Sequence, residues 1–393
     1  MADRGSGYRL LLRVWLAGAS LALAVPAAPA QADDAVGAVV QSHPVSIQLD
    51  GIPTPVAADQ LLYRSTGQLD QPDIAIATVI RPPGATATTR IVSYQMAYDT
   101  LGAQCDPSFT LQGGGSRTSL PALEANLVAA YIAAGFTVVL SDYEGRRQEF
   151  ATGQGSGYRT LDAIRAAEQL LGVEPSTPVG LVGYSGGSIA TEFAAELAPD
   201  YAPELNILGA AAGGLPVYLP HNIDYIDGSA SWASVIPFAL TGIGRGFGLD
   251  MSQYLSGYGA QIMAEVADQC FTDKHFPGLT TEQLLRPPYQ DYRTIGPLMA
   301  ALERLRMGAT GTPRGPLLLG VGNSDGIGDG VMIVNDVRGL AADYCRRGIA
   351  VQYREFAGLD HSAAILPFAA AAFGFTSDLF AGRAAAGDCA TLT

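Results

Sequence analysis

The segment "GLVGYSGGSIA", residues 180–190, places one serine, Ser185, between two glycines, Gly183 and Gly187, each two positions away. The apolar residues before the serine predict a short buried strand, and those after it recur at helical spacing. A strand that turns at once into a helix must pivot in a strained conformation, and only small neighbours leave room for it. The segment therefore predicts a nucleophile elbow, the turn that exposes a serine hydroxyl above the edge of a sheet.

Predicted strands and helices alternate on both sides of this segment. Compact apolar runs of strand length are followed by amphipathic segments such as residues 157–172, where apolar side chains recur at helical spacing. This alternation predicts a mainly parallel sheet with helices on both faces. Two early strand-like segments, residues 72–83 and 90–98, are expected to lie side by side. The later strand-like segments are 135–145, 205–214, 315–326 and 349–361.

Residues 216–313 interrupt the alternation. They are rich in Tyr, Pro, Gly, Phe and Met, and they contain helical pieces but no convincing buried strand. An insertion of this length between two core strands predicts a mostly helical cap domain. The sequence after residue 32 therefore divides into a first core part over 33–215, the cap over 216–313, and a second core part over 314–393.

The first 32 residues have the features of a cleaved leader. Arg4 and Arg9 come before or at the edge of an apolar run, "LLLRVWLAGASLALAV", and "PAAPAQA" then ends in an A-x-A pattern at Ala30 and Ala32. These features predict a secretory signal peptide over 1–32. A membrane anchor is the alternative, which the short run and Arg13 within it disfavour. No later uninterrupted apolar run reaches the roughly 18 residues of a membrane span, so we expect a secreted protein without stable membrane insertion.

Charge and cysteine content narrow the possible functions. The formal net charge is −14 at pH 7, so the chain lacks the basic surface that nucleic acids require, and we expect no nucleic-acid partner. The four cysteines contain no C-x-x-C pair, so no metal site is expected, and in an exported chain they predict disulfides. Four cysteines allow three sets of pairs, and their spacing does not choose between them. The cysteines are Cys105, Cys270, Cys345 and Cys389.

An activated serine needs a base to accept its proton and a carboxylate to orient that base. Among the four histidines, His361 directly follows a predicted core strand, where a loop can reach the strand ends beside Ser185. The loop after the preceding strand, "GNSDGIGDG", offers Asp325 and Asp329. Asp325 is the predicted third member because it lies closer to the strand end, whereas Asp329 is expected to serve the turn before the next helix. Asp360, next to the histidine, is expected to point away from it.

The chain order of these residues, serine, aspartate and then histidine, is that of an α/β-hydrolase. With the elbow and the alternating core, it predicts an α/β fold with a mainly parallel hydrolase sheet and an inserted, mostly helical cap. Acyl transfer also requires N–H donors for an oxyanion, and the backbone N–H of Gly186 is expected to be one of them. The second is expected at Asp99, near the end of an early strand. The alternative "QGGG", residues 112–115, lacks a histidine and lies well beyond that strand.

Several segments together resemble the secretory lipase family, the lipase A-like branch of the α/β-hydrolases. They are "SYQMAYD", "AGFTVVLSDYEG", "LDAIRAAEQLLG", "LVGYSGGSIAT", "GNSDG" and "DHSAA", in the expected order. The resemblance implies hydrolysis of carboxylic esters, including triacylglycerols, without a metal or cofactor. The residues that match the family's triad and oxyanion hole by position are Ser185, Asp325, His361, Gly186 and Asp99. The two disulfides that the resemblance implies are Cys105–Cys270 and Cys345–Cys389.

The function predicted from these features is a secreted serine ester hydrolase, a lipase or esterase acting on lipid or other ester substrates. Two departures from the family pattern, the glycine-rich "GIGDG" and a short C-terminal segment, favour ester hydrolysis in general over long-chain triglycerides. One alternative is an amide or peptide hydrolase, in which Asp142 or Glu144 would hold a substrate amine. Another is a non-catalytic surface-binding protein with the same fold.

Overall fold

Nine strands and twelve α-helices lie within the residues that the computed structural model describes, namely 35–49, 51–84, 89–115, 120–383 and 386–392. The predicted signal peptide, residues 1–32, lies outside these ranges. The strands are β1 (Val39–Leu49), β2 (Ile52–Thr66), β3 (Pro72–Arg81), β4 (Ile91–Gln95), β5 (Thr137–Ser141), β6 (Pro178–Tyr184), β7 (Asn206–Gly213), β8 (Leu317–Asn323) and β9 (Val351–Ala357). The helices are α1 (Pro107–Thr110), α2 (Leu120–Ala133), α3 (Gln154–Leu171), α4 (Gly186–Tyr201), α5 (Leu219–Ile226), α6 (Val235–Phe247), α7 (Gly257–Val266), α8 (Thr281–Leu284), α9 (Gly296–Arg304), α10 (Val334–Arg346), α11 (His361–Phe380) and α12 (Cys389–Leu392).

The strands form a single sheet in the order β1–β2–β3–β5–β4–β6–β7–β8–β9. Pairing is antiparallel from β1 to β5 and parallel from β5 to β9. The prediction of a mainly parallel sheet is confirmed. The expected pairing of the segments 72–83 and 90–98 is wrong, because β5 lies between β3 and β4. Hydrophobic patterns predict where strands lie in the chain but not their order in the sheet. Here the chain crosses from β4 through α2 to β5, which takes the position between β3 and β4.

Both faces of the sheet are buried at its centre, so neighbouring apolar residues of one strand can enter different core clusters. In β4, Ile91 packs into the cluster that contains α3 and α4, and the next residue, Val92, packs into the cluster that contains α2 and α11. Val139 and Val138 in β5 divide in the same way. Successive side chains of a strand point to opposite faces, which explains why two apolar residues stand next to each other in both strands.

The insertion, residues 214–316, connects β7 to β8 and contains α5 to α9 without a strand, and all of its residues are described. Backbone N–H groups of Thr310 and Gly311 donate to the carboxylate of Glu196 in α4, at 2.7 and 2.8 Å. Arg245 in α6 donates to the carbonyl oxygen of Leu101 at 3.2 Å. These contacts fix the insertion to the core. The domain boundaries expected at 215/216 and 313/314 stay predictions.

Two disulfides, Cys105–Cys270 and Cys345–Cys389, join segments that are distant in the chain, with Cα–Cα distances of 5.6 and 5.4 Å. The first ties the insertion to the loop after β4, and the second ties α12 to α10. The pairing implied by the family resemblance is confirmed.

Helix α11 is, within the described ranges, the one helix that is long and apolar enough to cross a membrane by length and composition, with a mean hydropathy of 1.5. Its Phe368 and Phe375 are buried in the core cluster on one face of the sheet. Its first residue, His361, is buried as well. One face of the helix thus packs against the sheet, and the absence of membrane insertion stays a prediction.

Candidate active site

The chain turns sharply at Ser185, directly after β6 and directly before α4. Ser185 has φ 55° and ψ −125°, a backbone region that non-glycine residues rarely adopt. Its backbone N–H donates to the carbonyl oxygen of Gly213 in the neighbouring strand at 2.8 Å. The turn is the predicted nucleophile elbow, and it presents the serine side chain at the carboxyl edge of the parallel sheet.

Each glycine around Ser185 has a neighbour that a Cβ atom would strike. A Cβ on Gly183 would lie 2.4 Å from the carbonyl oxygen of Gly187, and one on Gly187 would lie 2.0 Å from the carbonyl oxygen of Gln95. A Cβ on Gly186 would lie 1.7 Å from Oδ1 of Asp99. The glycines therefore allow helix α4 to approach β4 and β6 closely.

His361 links the serine to a buried carboxylate. Its Nε2 lies 2.8 Å from Oγ of Ser185, and its Nδ1 lies 2.9 Å from Oδ2 of Asp329. The histidine begins α11, where its backbone N–H donates to the carbonyl oxygen of Asp329 at 2.8 Å. Its own carbonyl oxygen accepts a hydrogen bond from the hydroxyl of Tyr184 at 2.7 Å. With Nδ1 donating to the carboxylate, Nε2 is free to accept a proton from the serine.

Asp329 is fully buried, and its carboxylate is saturated with hydrogen bonds. Oδ1 accepts the backbone N–H groups of Val331 and Met332 at 3.0 and 2.7 Å, which leaves Oδ2 for His361. A carboxylate held in this way keeps the imidazole in one orientation and stabilises its positive charge when it takes up a proton.

The prediction of Asp325 as the partner of His361 is wrong, since the structure places Asp329 in that position. Asp325 is exposed, and its Oδ1 accepts the N–H groups of Ile327 and Gly328 at 2.8 and 2.9 Å. Its Oδ2 accepts the hydroxyl of Tyr225 in the insertion at 2.7 Å. These hydrogen bonds, first those from Gly328 and Tyr225, lower the pKa of the Asp325 carboxyl. Both oxygens of its side chain are thus hydrogen-bonded, one within a turn and the other to the insertion.

Asp360 and the "QGGG" segment both lie outside the triad. Asp360 caps α11 by accepting the N–H of Ala363 at 2.8 Å. The "QGGG" segment follows a residue that pairs with β1, since the carbonyl oxygen of Leu111 accepts the N–H of Gln48 at 2.7 Å. Neither is part of the hydrogen-bonded chain that ends at Ser185.

Asp99 and Gly186, the predicted oxyanion-hole residues, line one cavity with Ser185. Asp99 has φ 43°, and its Oδ1 finds no hydrogen-bond partner among the described residues. Burial raises the pKa of the Asp99 carboxyl to about 7, and the nearby His361 opposes this increase. The structure brings the two residues together beside the serine, and their role as N–H donors stays a prediction.

The cavity above Ser185 has a volume of about 700 Å³, including the part that is open to solvent. Its walls are almost entirely apolar and come mainly from α5 and α6 of the insertion. Trp232 lies over the site, with its ring 5.3 Å from the His361 ring in an edge-to-face arrangement. Apolar residues that line the cavity include Phe150, Ile189, Leu219, Ile223, Ile236 and Leu240.

Two side chains near the site, Trp232 and Tyr225, were not singled out from the sequence. Both lie in the insertion, far in the chain from any strand, so the sequence pattern does not predict that they lie near the edge of the sheet. Within the ranges that the structure describes, no group of three or more His, Cys, Asp or Glu side chains is arranged to hold a metal ion. The site offers a nucleophile, a base, an orienting carboxylate and an apolar pocket, which together can carry out acyl transfer.

The fold and site define a hydrolase of the α/β class with its serine on a nucleophile elbow. The model of the secretory lipase family matches residues 112–388. A probable inactive lipase of Mycobacterium tuberculosis is 30% identical over 359 residues, which cover 88% of this chain and 79% of that protein. Lipase A of Arthroderma benhamiae is 30% identical over 76% of this chain and 65% of that lipase. The chain belongs to the secretory lipase family.

Solved structures show the same fold. Candida antarctica lipase A in its closed state superimposes with a TM-score of 0.81 and 25% identity, over 90% of this chain and 85% of that one. The rice cell wall degrading esterase LipA of Xanthomonas oryzae superimposes with a TM-score of 0.70 at 17% identity, over 89% of this chain and 100% of that one. The α/β-hydrolase fold class is confirmed, and family and fold place the chain among the lipases and esterases.

Proposed function

We propose that the chain is a secreted serine carboxylic ester hydrolase that cleaves acylglycerols or related esters through an acyl-enzyme on Ser185. The observation that carries the proposal is the hydrogen-bonded chain from Asp329 through His361 to Ser185, which ends in an apolar cavity. Secretion is supported by the family, by the two disulfides and by the leader-like sequence of residues 1–32.

The proposed reaction has two halves. Ser185 Oγ attacks the ester carbonyl carbon while Nε2 of His361 takes its proton, and Asp329 stabilises the imidazolium. The oxyanion receives hydrogen bonds from the backbone N–H groups of Gly186 and Asp99. His361 then protonates the departing alcohol. In the second half His361 takes a proton from a water molecule, whose oxygen attacks the acyl-serine, and it returns that proton to Oγ of Ser185 as the acid leaves.

The cavity supports an acyl group as the part of the substrate that the protein holds. Burial of hydrocarbon against its apolar walls stabilises the complex by roughly 0.8 kcal/mol for each methylene. Relatives named as lipases support acylglycerols as the substrate class. An amide substrate receives no such support, because Asp142 and Glu144 are buried and neither is among the residues that line the cavity.

The test is pH-stat release of fatty acid from emulsified tributyrin and triolein by the mature, oxidised protein, next to Ser185→Ala. We expect release from tributyrin that falls by several orders of magnitude in Ser185→Ala, on the order of 10⁶ when the nucleophile of a serine protease is removed. Release from triolein as well would extend the proposal to true lipase activity. An unchanged rate in a clean Ser185→Ala preparation would contradict the assignment.

A second candidate is a non-catalytic protein with the hydrolase fold, since one relative at 30% identity is named a probable inactive lipase. Against it, the serine, histidine and aspartate are all present here and within hydrogen-bonding distance. A fluorophosphonate probe separates the two candidates. Covalent labelling of Ser185, located by mass spectrometry, supports the hydrolase, and absence of labelling supports the non-catalytic protein.

A further inference from the structure

The loop after β4, residues 96–100, presents Asp99 to the cavity in an unfavourable backbone conformation. Asp99 has φ 43°, in the left-handed region that residues other than glycine rarely adopt. Its carboxyl group lies over Gly186, close enough to exclude any Cβ there. Such a conformation persists only where the surroundings hold the chain on both sides of the strained residue.

Glu124 holds the loop on the side that precedes Asp99. It lies in α2, and its Oε1 accepts the backbone N–H of Ala97 at 3.0 Å. Its Oε2 accepts the hydroxyl of Tyr94 at 2.9 Å, which fixes the carboxyl group against β4. The side chain is buried, with 3% of its surface exposed. Burying a carboxyl group is unfavourable, and an apolar side chain could fill the same space without this desolvation penalty.

Glu144 holds the loop on the side that follows Asp99. It lies just after β5, and its Oε2 accepts the backbone N–H of Thr100 at 3.2 Å. Its own backbone N–H donates to the hydroxyl of Tyr98 at 2.6 Å. Glu144 is 1% exposed, and its Oε1 has no partner among the described residues. A second buried carboxyl group therefore faces the same short loop.

Tyr143 completes the contacts. Its hydroxyl donates to the carbonyl oxygen of Met96 at 2.8 Å, and its ring meets Tyr98 edge to face with centroids 4.8 Å apart. The backbone of the loop is thus bound at Met96, Ala97 and Thr100, and the side chain of Tyr98 is bound as well. Asp99 is left to face the cavity.

We propose that Glu124 and Glu144 are positioning residues that hold the loop on both sides of Asp99, so that its backbone N–H stays directed at the oxyanion formed on Ser185. The inference rests on the proposed ester hydrolysis and adds the source of its oxyanion geometry. An oxyanion donor acts in the transition state, so a displaced loop lowers kcat rather than substrate binding. A displacement of about 1 Å is enough to cost about 100-fold.

The experiment compares Glu124→Ala and Glu144→Ala with Glu124→Gln and Glu144→Gln in hydrolysis of a soluble butyrate ester. We expect each alanine variant to lower kcat by about 10- to 100-fold with KM within about threefold. The glutamine variants should recover most of kcat, because the amide oxygen accepts the same backbone N–H. Glu168→Ala is the matched control: Glu168 is also a buried glutamate with a raised pKa, but it lies in α3, outside the contacts of the loop.

Amide hydrogen exchange gives a readout that does not depend on activity. Peptides that cover residues 94–102 should exchange faster in the alanine variants than in the wild type, the glutamine variants or Glu168→Ala. Unchanged exchange in this segment, or a rise in KM at constant kcat, would overturn the positioning role alone. A wild-type protein that hydrolyses no ester and does not react at Ser185 would overturn the proposed function, and the catalytic purpose of the two glutamates with it.

Discussion

Asp325 and Asp329 have the same local environment in the chain and different surroundings in the fold. Each precedes a glycine, and each uses Oδ1 to accept the N–H groups two and three residues ahead. The remaining oxygen distinguishes them, because Oδ2 of Asp325 accepts the hydroxyl of Tyr225 and Oδ2 of Asp329 accepts Nδ1–H of His361. Asp325 is exposed and Asp329 is fully buried.

A pair of isosteric substitutions should separate the two carboxylates. Asp329→Asn should lower kcat for ester hydrolysis by roughly 10⁴, as in the serine-protease triad, because the amide favours the wrong tautomer of His361. Asp325→Asn should change kcat less than about tenfold, since it alters only a turn and a contact with Tyr225. Steady-state kinetics on a soluble ester provide the measurement. Equal losses in both variants would show that the two residues do not have the separate roles seen in the structure.

Strand β6 and helix α4 are joined at Ser185 without a connecting loop. Helix α4 begins one residue after Ser185, so its first turn lies against β4, where the carbonyl oxygen of Gln95 faces Gly187. The buried backbone of a central strand cannot move to admit a side chain. The small residues of the elbow are thus needed for packing as well as for the strained turn.

Gly187→Ala should therefore destabilise the protein, because its Cβ would lie 2.0 Å from the carbonyl oxygen of Gln95. We expect a loss of about 1–3 kcal/mol in the free energy of unfolding. Gly374→Ala in α11 is the control, since nothing lies within 4 Å of the position of its Cβ. It should stabilise the protein by about 0.5–1 kcal/mol, the usual gain for alanine within a helix. Urea unfolding measures both, and a Gly187→Ala variant as stable as the wild type would refute the packing argument.

The insertion is connected to the loop that carries the triad aspartate. The Tyr225 hydroxyl in α5 donates to Asp325 and accepts the N–H of Gly330 at 3.2 Å. The same helix supplies Leu219 and Ile223 to the cavity wall. One short helix thus contacts both the cavity above Ser185 and the segment that positions Asp329. This gives Asp325 a structural role that its exposure alone would not suggest.

Across the described part of the molecule, burial raises the pKa of several carboxyl groups. Burial raises the pKa of Asp99 to about 7 and that of Glu124 to about 8. It also raises the pKa of Asp106, Asp142 and Glu144. The folded chain therefore keeps protons on these groups at pH values where the unfolded chain, with ordinary carboxyl pKa values near 4, has lost them.

This difference predicts a protein that is more stable in mild acid than in base. Between about pH 4 and pH 8 the folded state binds more protons than the unfolded state, so the free energy of unfolding falls as the pH rises. We expect Tm to be higher at pH 5 than at pH 8 by several degrees, since 1 kcal/mol corresponds to about 2 °C in a large domain. Differential scanning calorimetry at fixed ionic strength measures the trend.

Glu124→Gln provides the internal control for this trend, because it removes one of the titrating groups and keeps the hydrogen bond to Ala97. The difference in Tm between pH 5 and pH 8 should become smaller in the variant. Exposed carboxyl groups with lowered pKa, such as Asp325, lose their contribution only below their ordinary pKa and do not affect this range. A Tm that rises from pH 5 to pH 8 would contradict the prediction.

Three features could be predicted from the sequence: the alternation of strands and helices, the elbow at Ser185 and the choice of His361. These features depend on spacing within a few residues or on the order of elements along the chain, both of which a sequence records. The resemblance to a known family added the disulfide pairs. The long hairpin of β1 and β2 was not predicted, because much of β1 is exposed and has no sustained alternation of buried and exposed residues.

Packing across the fold, by contrast, selects Asp329 over Asp325 and places β5 between β3 and β4. It also brings Glu124 and Glu144 to the two ends of one loop. Local chemistry could not choose, since both aspartates make the same turn with the same backbone donors. What distinguishes them is the position of His361, which begins α11 after β9 and reaches Asp329 rather than Asp325. A residue's partner across the fold is set by how whole elements pack, and that packing is not recorded in the residues next to it in the chain.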